Sequence, residues 1–183
     1  VMLSRGVADR IREHEDSGLP FVKAKGFLRT GDIVFGNLEA PLTSGREIDI
    51  PEMVLRADPE MAYALADAGF TLLSLANNHI PDFGSSGILD TLQNLDRAGI
   101  ARVGAGPDAA EAYAPRIIEA RGLRLAFLAF TDPDMAPPSY GAGEDAPGTA
   151  SIDISDDVSN DTFDMSKMEA AIRDARLAAD FVV

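Results

Sequence analysis

The chain has 183 residues, 30 acidic and 16 basic, giving a formal net charge of −14, and it contains no cysteine. So acidic a composition argues against a nucleic-acid partner and against adsorption to an anionic membrane, both of which need clustered Lys and Arg. Disulfides, thiolate zinc sites and thiol nucleophiles are excluded, no apolar run approaches the ~20 residues of a membrane-spanning helix, and the length suits one domain.

Strand-like and helix-like periods alternate along the chain, the pattern of an α/β domain. Val1-Met2-Leu3 reads as a strand remnant, and Val7 and Ile11, four apart, begin a short amphipathic helix that turns polar at Glu13-His14-Glu15-Asp16. Asp32–Phe35 reads as a strand, followed by a Pro/Gly-punctuated loop from Pro41 to Pro51. Asp58 is placed to cap a helix with Pro59 at its first position, Met61, Leu65 and Ala68 on its apolar face, and Gly69 as its stop. Thr71–Leu75 is a buried strand, and Ile88, Leu92 and Leu95 carry helical spacing to Gly99. Arg102-Val103 is a short strand and Pro107 to Tyr113 a short helix. Arg116–Glu119 and Leu123–Phe130, split by Arg121-Gly122, predict a tight hairpin. Asp132 to Asp161 is aperiodic and rich in Pro, Gly, Ser and Asp, the composition of a functional or disordered loop. Met165, Met168 and Ile172 mark a last helix and Phe181–Val183 a last strand. The strands near 32–35, 71–75 and 124–130 are expected in one mainly parallel sheet.

Two strands end in chemistry. Thr71–Leu75 runs into Asn77-Asn78-His79, and Asp32–Phe35 into Gly36-Asn37-Leu38-Glu39. In open α/β sheets ligands sit just past the carboxyl ends of strands. Amide oxygen and neutral imidazole nitrogen suit divalent metals and meet phosphate oxygens. A carboxylate such as Glu39 either remains a solvated loop residue or binds metal and moves protons. A single histidine is more often a structural hydrogen-bonder, but the position of His79 favours function, whereas His14 lies on the polar side of a short helix and carries no role. Asn also builds turns, so Asn77 or Asn78 serves loop shape as readily as ligand binding. Asp82 reads as the cap of the helix starting near Gly84. Arg56 is placed either to meet an anionic substrate or as an ordinary strand-end cation, and Thr131 and Asp132 are positioned by topology alone.

Asn37-Leu38-Glu39, Asn77-Asn78-His79 and Asp82-Phe83-Gly84 in combination resemble the bacterial capsule-synthesis CapA family. So do Arg56-Ala57-Asp58-Pro59-Glu60, Ala68-Gly69-Phe70, Ala98-Gly99-Ile100 and Gly104-Ala105-Gly106, so the resemblance covers nearly the whole chain. That family is associated with poly-γ-glutamate capsules and is similar in fold to calcineurin-like metallophosphatases. The resemblance implies an α/β, metallophosphatase-like sandwich over residues 1–183. It also implies Glu39, Asn78 and His79 as metal ligands, Glu39 and His79 as catalytic residues, and Asn37, Asn77 and Arg56 as substrate-binding residues. Asn78 is preferred to Asn77 for ligand contact, because it matches the Asn of the metallophosphatase Asn-His pair. The implied cofactor is a divalent metal (Mn, Mg or Zn). The implied partners are poly-γ-glutamate or another anionic or phosphorylated substrate, together with other capsule-synthesis proteins. The implied location is the extracytoplasmic face of the cell envelope, anchored through a segment outside this sequence.

Two departures from the family pattern stand out. The Gly-Asp dipeptide that precedes the first strand is not present before Val1-Met2-Leu3, and the later His motifs do not occur before Asp180-Phe181-Val182-Val183. The sequence therefore reads as part of a domain, incomplete at both ends. It is expected to bind metal weakly or not at all and to be less stable than a longer protein. Two functions of different class follow from the resemblance: a metal-dependent hydrolase or transferase acting on a phosphoester or amide, or a non-catalytic accessory protein that binds or guides poly-γ-glutamate. An acidic surface repels such a polymer unless a metal or a local basic patch intervenes.

Overall fold

A computed structural model describes residues 1–45, 54–132, 140–152 and 165–183. The central sheet is parallel throughout, with strands β1 (Phe35–Asn37), β2 (Leu72–Ser74) and β3 (Ala101–Val103) in the order β1-β2-β3. Two helices supply its crossovers, α3 (Met61–Ala68) between β1 and β2 and α4 (Gly84–Ala98) between β2 and β3. The strand register sets Phe35 against Leu72 and Asn37 against Ser74, so the loops after β1 and β2 emerge at the same end. Val1 runs beside β1. Its ammonium donates to the Asn37 carbonyl and its own carbonyl accepts from Glu39 N at 3.1 Å, the two-sided bonding of a parallel neighbour.

The period-2 alternation of β2 sorts the core into two layers. Leu73 and Leu75 point to one face and pack with Met61, Leu65, Ile88, Leu92 and Leu95 of the two helices. Leu72 points to the other face and joins Val103 and Phe127. That second face is covered by an antiparallel hairpin, β5 (Arg116–Ala120) and β6 (Leu123–Phe127), with Phe35 and Phe127 stacked at 5.8 Å between ring centroids. The result is helices, parallel sheet and second sheet in successive layers, an α/β sandwich. Strand β8 (Phe181–Val182) extends the second sheet, pairing parallel to β6 after helix α6 (Ser166–Ala178). A separate small ladder joins β4 (Ala105–Gly106) to β7 (Gly148–Thr149), beside the short helix α5 (Ala109–Ala112).

Several sequence expectations are corrected here. The 124–130 strand does not share a sheet with 32–35 and 71–75. The Arg121-Gly122 turn, with φ of 51° and 78°, commits β6 to β5 on one edge, and β8 takes the other. Contact with the central sheet is therefore face to face. The first strand begins at Phe35, so Asn37 is its last residue; Val34 instead bonds to Thr71 at the mouth of β2. Helix α3 begins at Met61 with Glu60 at its cap, because Asp58 and Pro59 form a turn whose carbonyls accept from Met61 and Ala62. Gly69 ends α3 with φ of 109°, as its freedom from a Cβ allows. Two elements had no periodic signal: a 3₁₀ turn at Leu19–Phe21 and α2 (Lys25–Leu28). Helix α1 (Gly6–His14) forms where Val7 and Ile11 predict it. In α6 the buried residues are Ala171 and Ala175, while Met165, Met168 and Ile172 stay half-buried. Parts of the expected loops at Pro41–Pro51 and Asp132–Asp161 lie outside the described residues.

Candidate functional site

The site is built by the two loops that leave β1 and β2 side by side. Asn77 joins them. It is buried, and each of its polar atoms is used twice. Nδ2 donates to Asn37 Oδ1 and to the Leu38 carbonyl, both at 2.9 Å; Oδ1 accepts from the N–H groups of His79 at 3.0 Å and Ile80 at 3.1 Å. Two donors and two acceptor positions exhaust a carboxamide. Asn77 therefore clips the β1 loop to the β2 loop and caps the 3₁₀ turn Ile80–Phe83, leaving no free group for a ligand. Asn37 is likewise engaged, accepting from Asn77 and donating through Nδ2 to Glu39 Oε1 at 3.2 Å. Glu39 is half-buried and directed by that bond.

His79 is oriented by a partner that the sequence reading assigned elsewhere. Its Nδ1 lies 3.0 Å from Asp82 Oδ2, and the same oxygen accepts from Leu55 N at 2.7 Å. A carboxylate oxygen only accepts, so Nδ1 donates, and in the neutral ring the lone pair then lies on Nε2. Asp82 is thus not the cap of α4, whose N-terminus at Phe83 receives no side-chain hydrogen bond. The 3₁₀ turn sets the i, i+3 spacing that brings carboxylate and ring together. His79 and Asp82 side chains are 22% and 12% exposed, so the pair is largely screened while one edge of the ring remains accessible. Asn78, half-buried, makes no side-chain hydrogen bond among the described residues.

Arg56 stands apart from these groups. It is exposed, its Nη1 donates to the Gly45 carbonyl at 3.1 Å, and its guanidinium lies 5.9 Å from the Phe83 ring centroid. Phe83 follows Asp82 directly, and Leu55, which bonds to Asp82, precedes Arg56. Arg56 therefore belongs to a neighbouring cleft of about 320 Å³ that also includes Arg5 and Arg12. Thr131 is buried and bridges to Ser151, a structural placement.

The chain matches the family described as "Bacterial capsule synthesis protein PGA_cap" over residues 1–183. It belongs to that bacterial capsule synthesis family. Its relatives include a capsule biosynthesis protein CapA of Bacillus anthracis, 30% identical over 83% of this chain and 37% of the relative. The PGA biosynthesis protein CapA of Bacillus subtilis (strain 168) is 30% identical over 84% and 40%. A probable polyglutamine synthesis accessory protein of Mycobacterium tuberculosis is 32% identical over 86% and 44%. The chain spans about two-fifths of the length of these relatives. The family's metallophosphatase-like architecture agrees with the parallel sheet and layered helices described above.

That architecture suggests a divalent metal, and the donor set answers the suggestion in part. An imidazole whose second nitrogen is held by a carboxylate is the usual arrangement behind a metal-ligating His. Yet no group of three or more His, Asp or Glu side chains able to hold a metal converges among the described residues. The described residues do not by themselves complete a metal centre. They supply one oriented nitrogen with a carboxylate and an amide in the adjoining loops.

Proposed function

We propose that this chain contributes the Asp82–His79 half of a site that processes an anionic polymer of the polyglutamate type during capsule biosynthesis, by hydrolysis or transfer. The observation that carries the reading is the Asp82–His79 pair itself. The half-buried pair orients the ring so that its outward edge, Nε2, is accessible beside the β1 loop, which supports a use for that nitrogen. In this reading His79 Nε2 is the leading ligand or proton acceptor, Glu39 is the accompanying carboxylate, and Asn78 is the amide that faces the ligand. Asn37 and Asn77 support these groups from behind. A bound cation would polarise the scissile carbonyl or phosphoryl group, and its remaining donors would have to come from outside the described residues. The names of the relatives support polyglutamate as the substrate class and the cell envelope as the location. An extracytoplasmic, membrane-anchored placement is part of the proposal; no helix among the described residues is long and apolar enough to cross a membrane.

A second reading, a non-catalytic accessory that holds the polymer, is favoured by the absence of a three-residue His/Asp/Glu cluster among the described residues. Calorimetric titration with Mn²⁺ of a longer protein that includes those outside donors separates the two. Under the first, His79→Ala abolishes the binding heat and Asp82→Asn weakens affinity about 10–100-fold through the freed ring. Unchanged affinity in both variants removes His79 from the ligand set and leaves the accessory reading.

A further inference from the structure

The wall of the cleft next to the site is basic in a chain whose net charge is −14. Arg5, Arg12 and Arg56 line it together with Ser4, Asp58 and Phe83. Its volume of about 320 Å³ falls within the ~300–1,000 Å³ range of ligand clefts. Arg5, with φ of 55° and ψ of −132°, precedes α1, and Arg12 lies in its last turn, so the two guanidinium groups reach the cleft from opposite ends of the helix. The remaining partners of these cations are few. Arg12 Nη2 pairs with Asp9 Oδ1 at 2.5 Å, Arg56 uses one donor on Gly45, and Arg5 makes no ion pair among the described residues. Among the described residues Asp58 is the single carboxylate in the wall. Arg56 is further fixed at its root, where its N–H donates to the buried Ser4 Oγ at 3.1 Å.

We propose that this cleft is a carboxylate-binding subsite that takes successive carboxylates of a γ-linked glutamate chain and presents that chain to the adjoining His79–Asp82 loop. The proposal rests on the polymer-processing reading above and adds where the polymer lies. Guanidinium forks pair with carboxylates in a bidentate fashion and hold their charge at any working pH. Three guanidinium groups lining one cleft suit several carboxylates on one strand better than a single small anion. The path to the site is short in sequence: Phe83, under the Arg56 guanidinium, is the residue after Asp82.

The test is fluorescence anisotropy of a labelled γ-glutamate decamer, without added metal. Arg5→Gln and Arg56→Gln each weaken binding about tenfold, the loss of one charge-assisted contact. Arg10→Gln, on the same helix but outside the cleft and paired with Glu13 at 2.6 Å, leaves affinity unchanged. Arg5→Gly provides the folding control. Arg5 has φ of 55° and ψ of −132°, a conformation glycine adopts freely, so this variant keeps its melting temperature while losing the decamer. His79→Ala keeps decamer binding, so failure of the metal reading and failure of the cleft are distinguishable. Wild-type affinity in the Arg5→Gly and Arg56→Gln proteins would overturn the proposal. So would displacement of the decamer by inorganic phosphate at concentrations where free glutamate has no effect, which would make the cleft a phosphate site.

Discussion

Replacing Asn77 by Ala removes four hydrogen bonds at a residue that is 8% exposed. The Leu38 carbonyl and Asn37 Oδ1 lose their donor, and the N–H groups of His79 and Ile80 lose their acceptor. A net ~0.5–1.5 kcal/mol per neutral bond would sum to several kcal/mol, but such bonds do not add fully, and water or small shifts recover part of the loss. A destabilisation of about 3 kcal/mol is expected, which for a domain of this size lowers Tm by about 6–12 °C. Asn77→Asp is the sharper probe. It keeps the acceptor toward His79 and Ile80 but sets a carboxylate oxygen against Leu38 O and Asn37 Oδ1, so it is expected to be no better than Ala at neutral pH. Thermal melts followed by circular dichroism, with urea titration for ΔΔG, read both. A melting temperature within 2 °C of wild type for Asn77→Ala would refute the view that this amide clips the two loops together.

Gly87→Ala would place a Cβ 2.5 Å from Phe83 Cβ, and the strain of about 1–3 kcal/mol outweighs the ~1 kcal/mol that Ala gains in helix propensity; urea unfolding should show a net loss. Arg121→Asn should raise stability, because Asn tolerates the φ of 51° in the β5–β6 turn better than Arg. The exposed Arg121–Asp32 pair it sacrifices, 2.8 Å apart, is worth only ~0–0.5 kcal/mol, and a fall in Tm would show that the pair dominates. The Lys25 ammonium, hydrogen-bonded to Asp67 and assisted by Arg29, holds the Asp67 carboxyl below its ordinary value of 3.8. A depressed folded-state value means stability that is present above the unfolded-state value and is lost as pH falls through the folded one. Wild type should therefore melt above Asp67→Asn at pH 7, and the two curves should converge below pH 3.8; a constant difference down to the lowest pH would contradict this.

The order of elements was legible because local signals agreed with tertiary need. Gly69 and Gly99 stop their helices with positive φ, and the buried faces of α3 and α4 follow their spacing. Sheet membership was less legible. Whether β6 pairs with β3 or stacks across from it depends on which edges β5 and β8 occupy, and no residue of β6 records that. At the site, position was readable from strand ends but role was not. Asn77 and Asn78 are identical in type, and only the fold decides that the first turns inward to satisfy four backbone and side-chain groups. Asp82 looked like a cap because caps are commonly Asp before a helix; the intervening 3₁₀ turn redirected it to His79. The cleft arginines left no periodic signal, since Arg5 precedes α1 in a non-helical conformation. Arg56 joins them through the bond from its N–H to Ser4 Oγ, a long-range contact that sequence alone does not reveal.

The acidic surface and an acidic polymer are compatible once range is considered. At physiological ionic strength the Debye length is about 8 Å, so exposed carboxylates elsewhere on the molecule are largely screened from a ligand in the cleft. Contacts made inside that distance are decided by the wall itself, where, among the described residues, three guanidinium groups, one of them paired with Asp9, face one carboxylate. On the proposed reading, the surrounding negative charge then acts on segments of a polymer that are not seated, discouraging adsorption away from the cleft. Such a surface favours one threaded path over many loose ones. A protein that must hold a long polyanion at one point and release it elsewhere is better served by that distribution than by a uniformly basic face, to which the whole chain would adhere.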